Sequence, residues 1–111
     1  MSKHFQPDTV WEPHIAAIAE AVSDVTGVPL SEIKGESRLQ EVAWARHAVC
    51  YLARRNTQAT QRAIGAYLGG RDHSTVRHGH ERIAAHRSVY ADLDLVLADL
   101  EAYITRREDD E

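Results

Sequence analysis

Two adjacent glycines, Gly69-Gly70, lie between two short stretches of helical periodicity and constrain the fold more than any other feature. Before them, Thr60 can cap a helix over 61–68, in which Ile64 and Leu68 fall one turn apart on a core-facing side. After them, Asp72 or Ser74 can cap a second helix from 74 to about 86, with Val76, Ile83 and Ala84 as a thin apolar side. Glycine reaches positive φ at little cost, so the pair can end one helix and turn tightly into the next. Two helices joined by so short a glycine turn match the helix-turn-helix plan, in which the second helix presents its N-terminal residues to base edges in the major groove.

The remainder of the chain supplies a helical scaffold for that turn. Ile15, Ile18, Ala19, Val22 and Val25 form one stripe over 14–26, stopped by Gly27 and Pro29. Residues 31–40 offer little but Ile33 and Leu39 to bury and read as a turn and connecting loop. Helical spacing resumes over 41–55 through Val42, Ala45, Val49 and Leu52, and 56–59 is a polar break. A last amphipathic helix over 89–107 carries Leu93, Val96, Leu97, Leu100, Tyr103 and Ile104, expected to pack on the preceding helices. No strand alternation occurs, so the expected class is all-α, a multi-helix domain with a helix-turn-helix and a C-terminal amphipathic helix. Its expected divisions are a flexible leader at 1–13, the DNA-binding domain at 14–88, and the C-terminal helix with an acidic tail at 89–111.

Several classes are disfavoured. Charge interrupts every apolar run, so no segment suits a bilayer, and the N-terminal residues lack an apolar signal core, which points to the cytoplasm. Cys50, the single cysteine, lies in an apolar helical run and reads as a core residue. Seven histidines raise the question of a metal, but His78 and His80 point to opposite sides of a helix and His73 and His78 are five apart. No metal, other cofactor or nucleotide is expected, nor is enzyme activity, since no acid pair, Cys/His pair or phosphate loop is placed on a recognisable scaffold. His80 and His86 are expected to be solvated.

The formal net charge of −4 conceals a strong asymmetry. Between residues 54 and 87 seven arginines stand against Asp72 and Glu81, a local balance of +5, which leaves −9 for everything else. Residues 92–111 alone carry −6. This is the pattern of a basic binding face with an acidic appendage. At the head of the second helix, Arg71 suits a guanine or a phosphate, and Asp72 suits a cytosine amino group. Ser74 and Thr75 suit phosphate, a base edge or a thymine methyl. His73 in the turn and His78 on the exposed side read as DNA contacts, with Arg77 and Arg82 on later turns beside the backbone.

The run Gly69-Gly70-Arg71-Asp72-His73-Ser74-Thr75-Val76, with His78 and Ile83 beyond it, closely resembles the signature of the C-terminal DNA-binding domain of the bacterial replication initiator DnaA. Ala63-Ile64-Gly65 fits the first helix of that domain's helix-turn-helix, and a weaker likeness reaches back to about Ile15 through Leu30-Ser31-Glu32-Ile33. The resemblance implies a duplex-DNA-binding protein reading a short, AT-rich initiator box in replication initiation or transcription, associated with the bacterial nucleoid. By position, Arg71, Asp72, His73, Ser74 and Thr75 would read bases and adjoining phosphates, while Thr60, Gln61, Arg62 and Arg82 would hold the backbone. The family's basic loop is depleted here: only Arg38 and Arg46 keep its charge, and Trp44 stands where its minor-groove arginine belongs. Arg77 replaces a usually aliphatic residue. The ATPase module's Gly-x-x-x-x-Gly-Lys-Ser/Thr loop does not occur, so ATP-driven origin melting is not expected of this chain. The competing reading is a protein-interaction module that modulates the full-length initiator through a weakened DNA face.

Overall fold

The computed structural model describes residues 8–109, and within them all regular structure is helical. A single 3-10 turn, Asp8–Trp11, leads into α1 (Glu12–Thr26). Then follow α2 (Leu30–Ile33), α3 (Gln40–Asn56), α4 (Gln61–Tyr67), α5 (His73–Arg87) and α6 (Ala91–Asp109). Helical structure therefore begins earlier than the apolar stripe alone indicates: residues 8–13, read as leader, form the turn and the start of α1, and Trp11 packs on the core. The remainder of that leader lies outside the described residues.

α1 stops where Gly27 adopts φ 77° and its N–H bonds the Ser23 carbonyl. Ser23 and Thr26 hydroxyls then bond the Val28 and Val22 carbonyls, so the chain turns without leaving these backbone groups to water. The segment read as a loop over 31–40 contains the one-turn α2, which exists to seat Ile33, fully buried, against α3.

The core runs through α1, α3, α4 and α5. Ile15, Ile18, Val22, Ile33, Val42, Val49, Leu52, Ile64, Leu68, Val76 and Ile83 are all essentially inaccessible. Such side chains contribute roughly 1.5–3 kcal/mol each when fully buried. α5 lies mainly on α3, with Val76, Gly79 and Ile83 on its inner side, and Ala84 is exposed. Cys50 belongs to this core, and burial pushes its thiol up to about 12.

α6 covers the other side with Leu97, Leu100 and Ile104, while Val96 and Tyr103 from the expected stripe remain exposed. Polar contacts lock it in place. Arg87 meets Asp94 at 2.6 Å and Glu101 at 2.9 Å, and donates to the Tyr51 hydroxyl at 3.0 Å. Arg55 meets the second oxygen of Glu101 at 2.9 Å. Burial alone would raise the Glu101 carboxyl, but the hydrogen bonds from Arg55 and Arg87 outweigh it and hold the group below its usual range.

Candidate nucleic-acid interface

The helix-turn-helix is built by α4, the turn at 68–72 and α5. Thr60 caps α4 by accepting the Ala63 N–H at 3.0 Å. Gly69 and Gly70 both take positive φ, 87° and 85°, as the paired glycines require. The turn closes on Gly65, whose carbonyl accepts the N–H groups of Gly70 at 3.0 Å and Arg71 at 2.9 Å. A side chain at Gly65 would collide with the Arg71 carbonyl, so Gly65 lets the α5 entry lie directly on α4. A side chain at Gly69 would likewise collide with the Lys34 carbonyl, besides being strained by its φ.

Asp72 rather than Ser74 caps α5. Its carboxylate accepts the Thr75 N–H at 3.0 Å, and the Ser74 hydroxyl donates to the same oxygen at 2.6 Å. These two hydrogen bonds, Ser74's first, hold the carboxyl down at about 2. From that cap onward the outward side of α5 is continuous: His73, Ser74, Thr75, Arg77, His78 and Arg82 are all exposed. At 100° per residue Ser74, Arg77 and His78 lie opposite Val76, Gly79 and Ile83, while His73, Thr75 and Arg82 flank that arc. Arg62 is exposed at the start of α4 and Gln61 is half-buried there. Arg77 and Arg82 have no carboxylate partner among the described residues, whereas Arg55 and Arg87 are neutralised by α6. The acidic appendage thus quiets the basic charge on its own side, and the exposed side of α5 carries Arg77 and Arg82 beside Asp72 and Glu81.

Three residues read as belonging to the interface or to solvent have other positions. Arg46 is 8% exposed, with Nε donating to the Ile33 carbonyl at 2.9 Å and Nη2 to the carbonyls of Glu32, Gly35 and Ser37 at 3.1–3.2 Å. It ties α2 and the following loop to α3, which corrects its reading as a DNA-facing cation. Burial, then the proximity of Arg71, lowers its affinity for its proton. Arg71 is half-buried, with its guanidinium donating to the Leu68 carbonyl and, at 2.6 Å, to that of Gly35. Trp44 is half-buried away from α5's N-terminus, with its ring edge-on to His86 at 4.8 Å. Arg38 remains exposed on the loop.

The expected solvation of His80 and His86 is also corrected. The His80 ring stacks on Tyr51, centroids 5.3 Å apart and planes 25° from parallel, and its Nδ1 is buried without a partner. His86 is half-buried, with Tyr90 stacked at 5.7 Å and Nδ1 within 2.8 Å of the Arg82 carbonyl. Among the described residues no group of three or more His, Cys, Asp or Glu is placed to hold a metal ion. No described helix is long and apolar enough to cross a membrane.

Comparison with known proteins agrees with this geometry. Residues 15–83 match the family model for the bacterial DnaA protein helix-turn-helix, a span from α1 to the last buried residue of α5. The chain is 44% identical over 69 residues to the chromosomal replication initiator protein DnaA of Enterococcus faecalis, covering 62% of this chain and 15% of that one. It is 35% identical over 86 residues to the protein of the same name from Latilactobacillus sakei, covering 78% of this chain and 19% of that one. The matches thus take in less than a fifth of either relative. On the family match, the helix-turn-helix and its glycine turn, this chain belongs to the bacterial DnaA helix-turn-helix family.

Proposed function

We propose that this protein binds duplex DNA sequence-specifically at DnaA-box-like sites and so regulates replication initiation or transcription, without catalysing a reaction. The observation that carries this reading is the exposed arc of α5. Its first two turns combine a fixed cap, two imidazoles, two hydroxyls and an unpaired arginine, a mixture suited to base edges rather than to phosphate alone. Backbone contacts fall to Thr60, Gln61 and Arg62 at the head of α4, to Arg38 on the loop before α3, and to Arg82 on a later turn of α5. Asp72 remains able to accept from a cytosine amino group, because a carboxylate has acceptor sites beyond the two used by Ser74 and Thr75.

The test is a comparison of affinity for a duplex carrying a DnaA box with affinity for a scrambled duplex at moderate salt. A preference of about a thousandfold or more is expected, within the range for specific over non-specific binding. Equal affinity would overturn the reading.

A further inference from the structure

We propose that the groove between the start of α3 and the α5–α6 turn is a docking site for an arginine side chain presented by a partner protein. The groove has a volume of about 470 Å³ and is lined by Gln40, Trp44, His86, Tyr90, Asp92 and Leu93. It lies at the opposite end of α5 from the Asp72 cap. Three of its side chains form a run of rings. The Trp44 indole stands edge-on to His86 at 4.8 Å, and the His86 ring stacks with Tyr90 at 5.7 Å, the planes 18° apart. Backbone bonds hold this arrangement. The N–H groups of Val89 and Tyr90 both donate to the His86 carbonyl, at 3.0 Å and 2.8 Å, and the Asp94 N–H donates to the Tyr90 carbonyl at 3.1 Å. The ion pair of Asp94 with Arg87 fixes the first turn of α6 further, and with it Asp92 and Leu93. The groove is therefore formed before any partner arrives.

Its charge selects the occupant. Asp92 is the one carboxylate in the lining, and no lysine or arginine joins it. Among the described residues Asp92 makes no ion pair, whereas Asp94 and Glu101 of the same helix are engaged by Arg87 and Arg55. Glu41, exposed beside Gln40, adds to the negative side. The Nδ1 of His86 lies 2.8 Å from the Arg82 carbonyl, which can only accept, so the neutral ring carries its proton there and keeps Nε2 as an acceptor. A carboxylate, an imidazole acceptor and the exposed Tyr90 ring suit a cation and repel a phosphate. Guanidinium meets all three, since its plane stacks on an aromatic face while its edge donates two parallel hydrogen bonds to a carboxylate. A lysine ammonium is a compact, strongly hydrated point charge and gains less from such a surface. Leu39 and Val89, next in sequence to Gln40 and Tyr90, are exposed and offer apolar contact to the residues on either side of the arginine.

The probe is an end-capped peptide carrying one arginine between two leucines. Its controls replace the arginine with citrulline, which keeps the shape and loses the charge, or with lysine. The arginine peptide should shift the indole N–H resonance of Trp44 and the backbone amides of Tyr90 and Leu93 saturably, with a Kd in the millimolar range or tighter. The citrulline and lysine peptides should bind more weakly, citrulline by about tenfold. Asp92→Asn, at an exposed position, should bring the arginine and citrulline peptides to nearly equal affinity. Tyr90→Ala should weaken the arginine peptide by about tenfold, with Tm recorded alongside to show that the fold is kept. Shifts that never saturate, equal binding of the three peptides by the wild type, or a preference for arginine that survives in Asp92→Asn would overturn the proposal. So would a Trp44 resonance that moves with the protein's own concentration, which would make the occupant a second copy of this chain. No arm contains DNA, so a failure of box recognition would leave these outcomes unaffected.

Discussion

The carboxylate of Asp72 accepts the Thr75 backbone N–H at 3.0 Å, so the residue placed to read a base is also the cap of the helix that reads. The two roles separate by substitution. Asp72→Asn keeps an oxygen acceptor for the Thr75 N–H and should leave the urea unfolding midpoint nearly unchanged, while Asp72→Ala removes the cap and should lower it. Both should lose about tenfold or more in affinity for the preferred site, because an alanine lacks the acceptor and an amide presents a different donor pattern to a cytosine. An Asn variant that binds like the wild type would confine Asp72 to capping. Because the folded carboxyl is held low, at about 2, its capping contribution is present above the ordinary aspartate range and fades as pH falls through that range toward about 2.

Two half-buried imidazoles, His47 and His80, predict a second pH dependence. Burial, then Arg82, His78 and Arg46, lowers the proton affinity of His47. Burial leads for His80 too, followed by Arg54, with Glu81 opposing. The unfolded chain therefore takes up protons on these rings at higher pH than the fold does. Stability is full above the ordinary histidine range, near 6.5, and falls as pH drops through it. Urea midpoints measured between about pH 7.5 and 5 should decline, and His80→Phe, which keeps a ring against Tyr51, should flatten part of the slope. A midpoint independent of pH over that interval would contradict the burial of these rings.

Trp44 supplies a third prediction. Its ring lies against His86, and His86 is 13 residues along α5 from His73, or roughly 20 Å at 1.5 Å per residue. Trp44→Arg should lower Tm through lost packing and should recover no affinity for a box. Tighter box binding by this variant, with Tm unchanged, would place the start of α3 at the DNA.

The division between base and phosphate contacts predicts two kinds of binding defect. His73→Ala should change which base pairs are tolerated and cost about 1–3 kcal/mol on the preferred site. Arg82→Ala should weaken all duplexes alike and flatten the salt slope by about one unit. With Arg55 and Arg87 neutralised by α6, the wild-type slope of log K against log salt should be about −3 to −5. Uniform losses from both variants would remove the base-reading role from His73.

Local chemistry explains which parts of this architecture were legible in the sequence. Thr60 and the glycine pair act within three or four residues of themselves, and the α4 cap and the turn formed as their spacing indicates. The outward arc of α5 was equally readable, since periodicity alone separates His73, Arg77 and His78 from Val76 and Ile83. The inward course of Arg46 and Arg71 was not. It depends on the Gly35 carbonyl, 11 residues from one and 36 from the other, and on the one-turn α2 that aims the carbonyls of Glu32 and Ile33 at α3. Likewise, nothing near His80 announces that Tyr51, on another helix, will lie beneath its ring. The basic count also misled in one respect, for Arg54 bonds the Ala59 carbonyl to shape the α3–α4 turn.

The central claim is that the N-terminal arc of α5 meets the bases. Its most direct test is a titration of the isotopically labelled protein with a duplex carrying a DnaA box, following backbone amide resonances residue by residue. Perturbations concentrated at 72–78 are expected, with smaller ones at 60–62 and 35–38, and little change along α6. Perturbations centred on α6 or around Trp44 and Tyr90, with 73–78 unmoved, would contradict it.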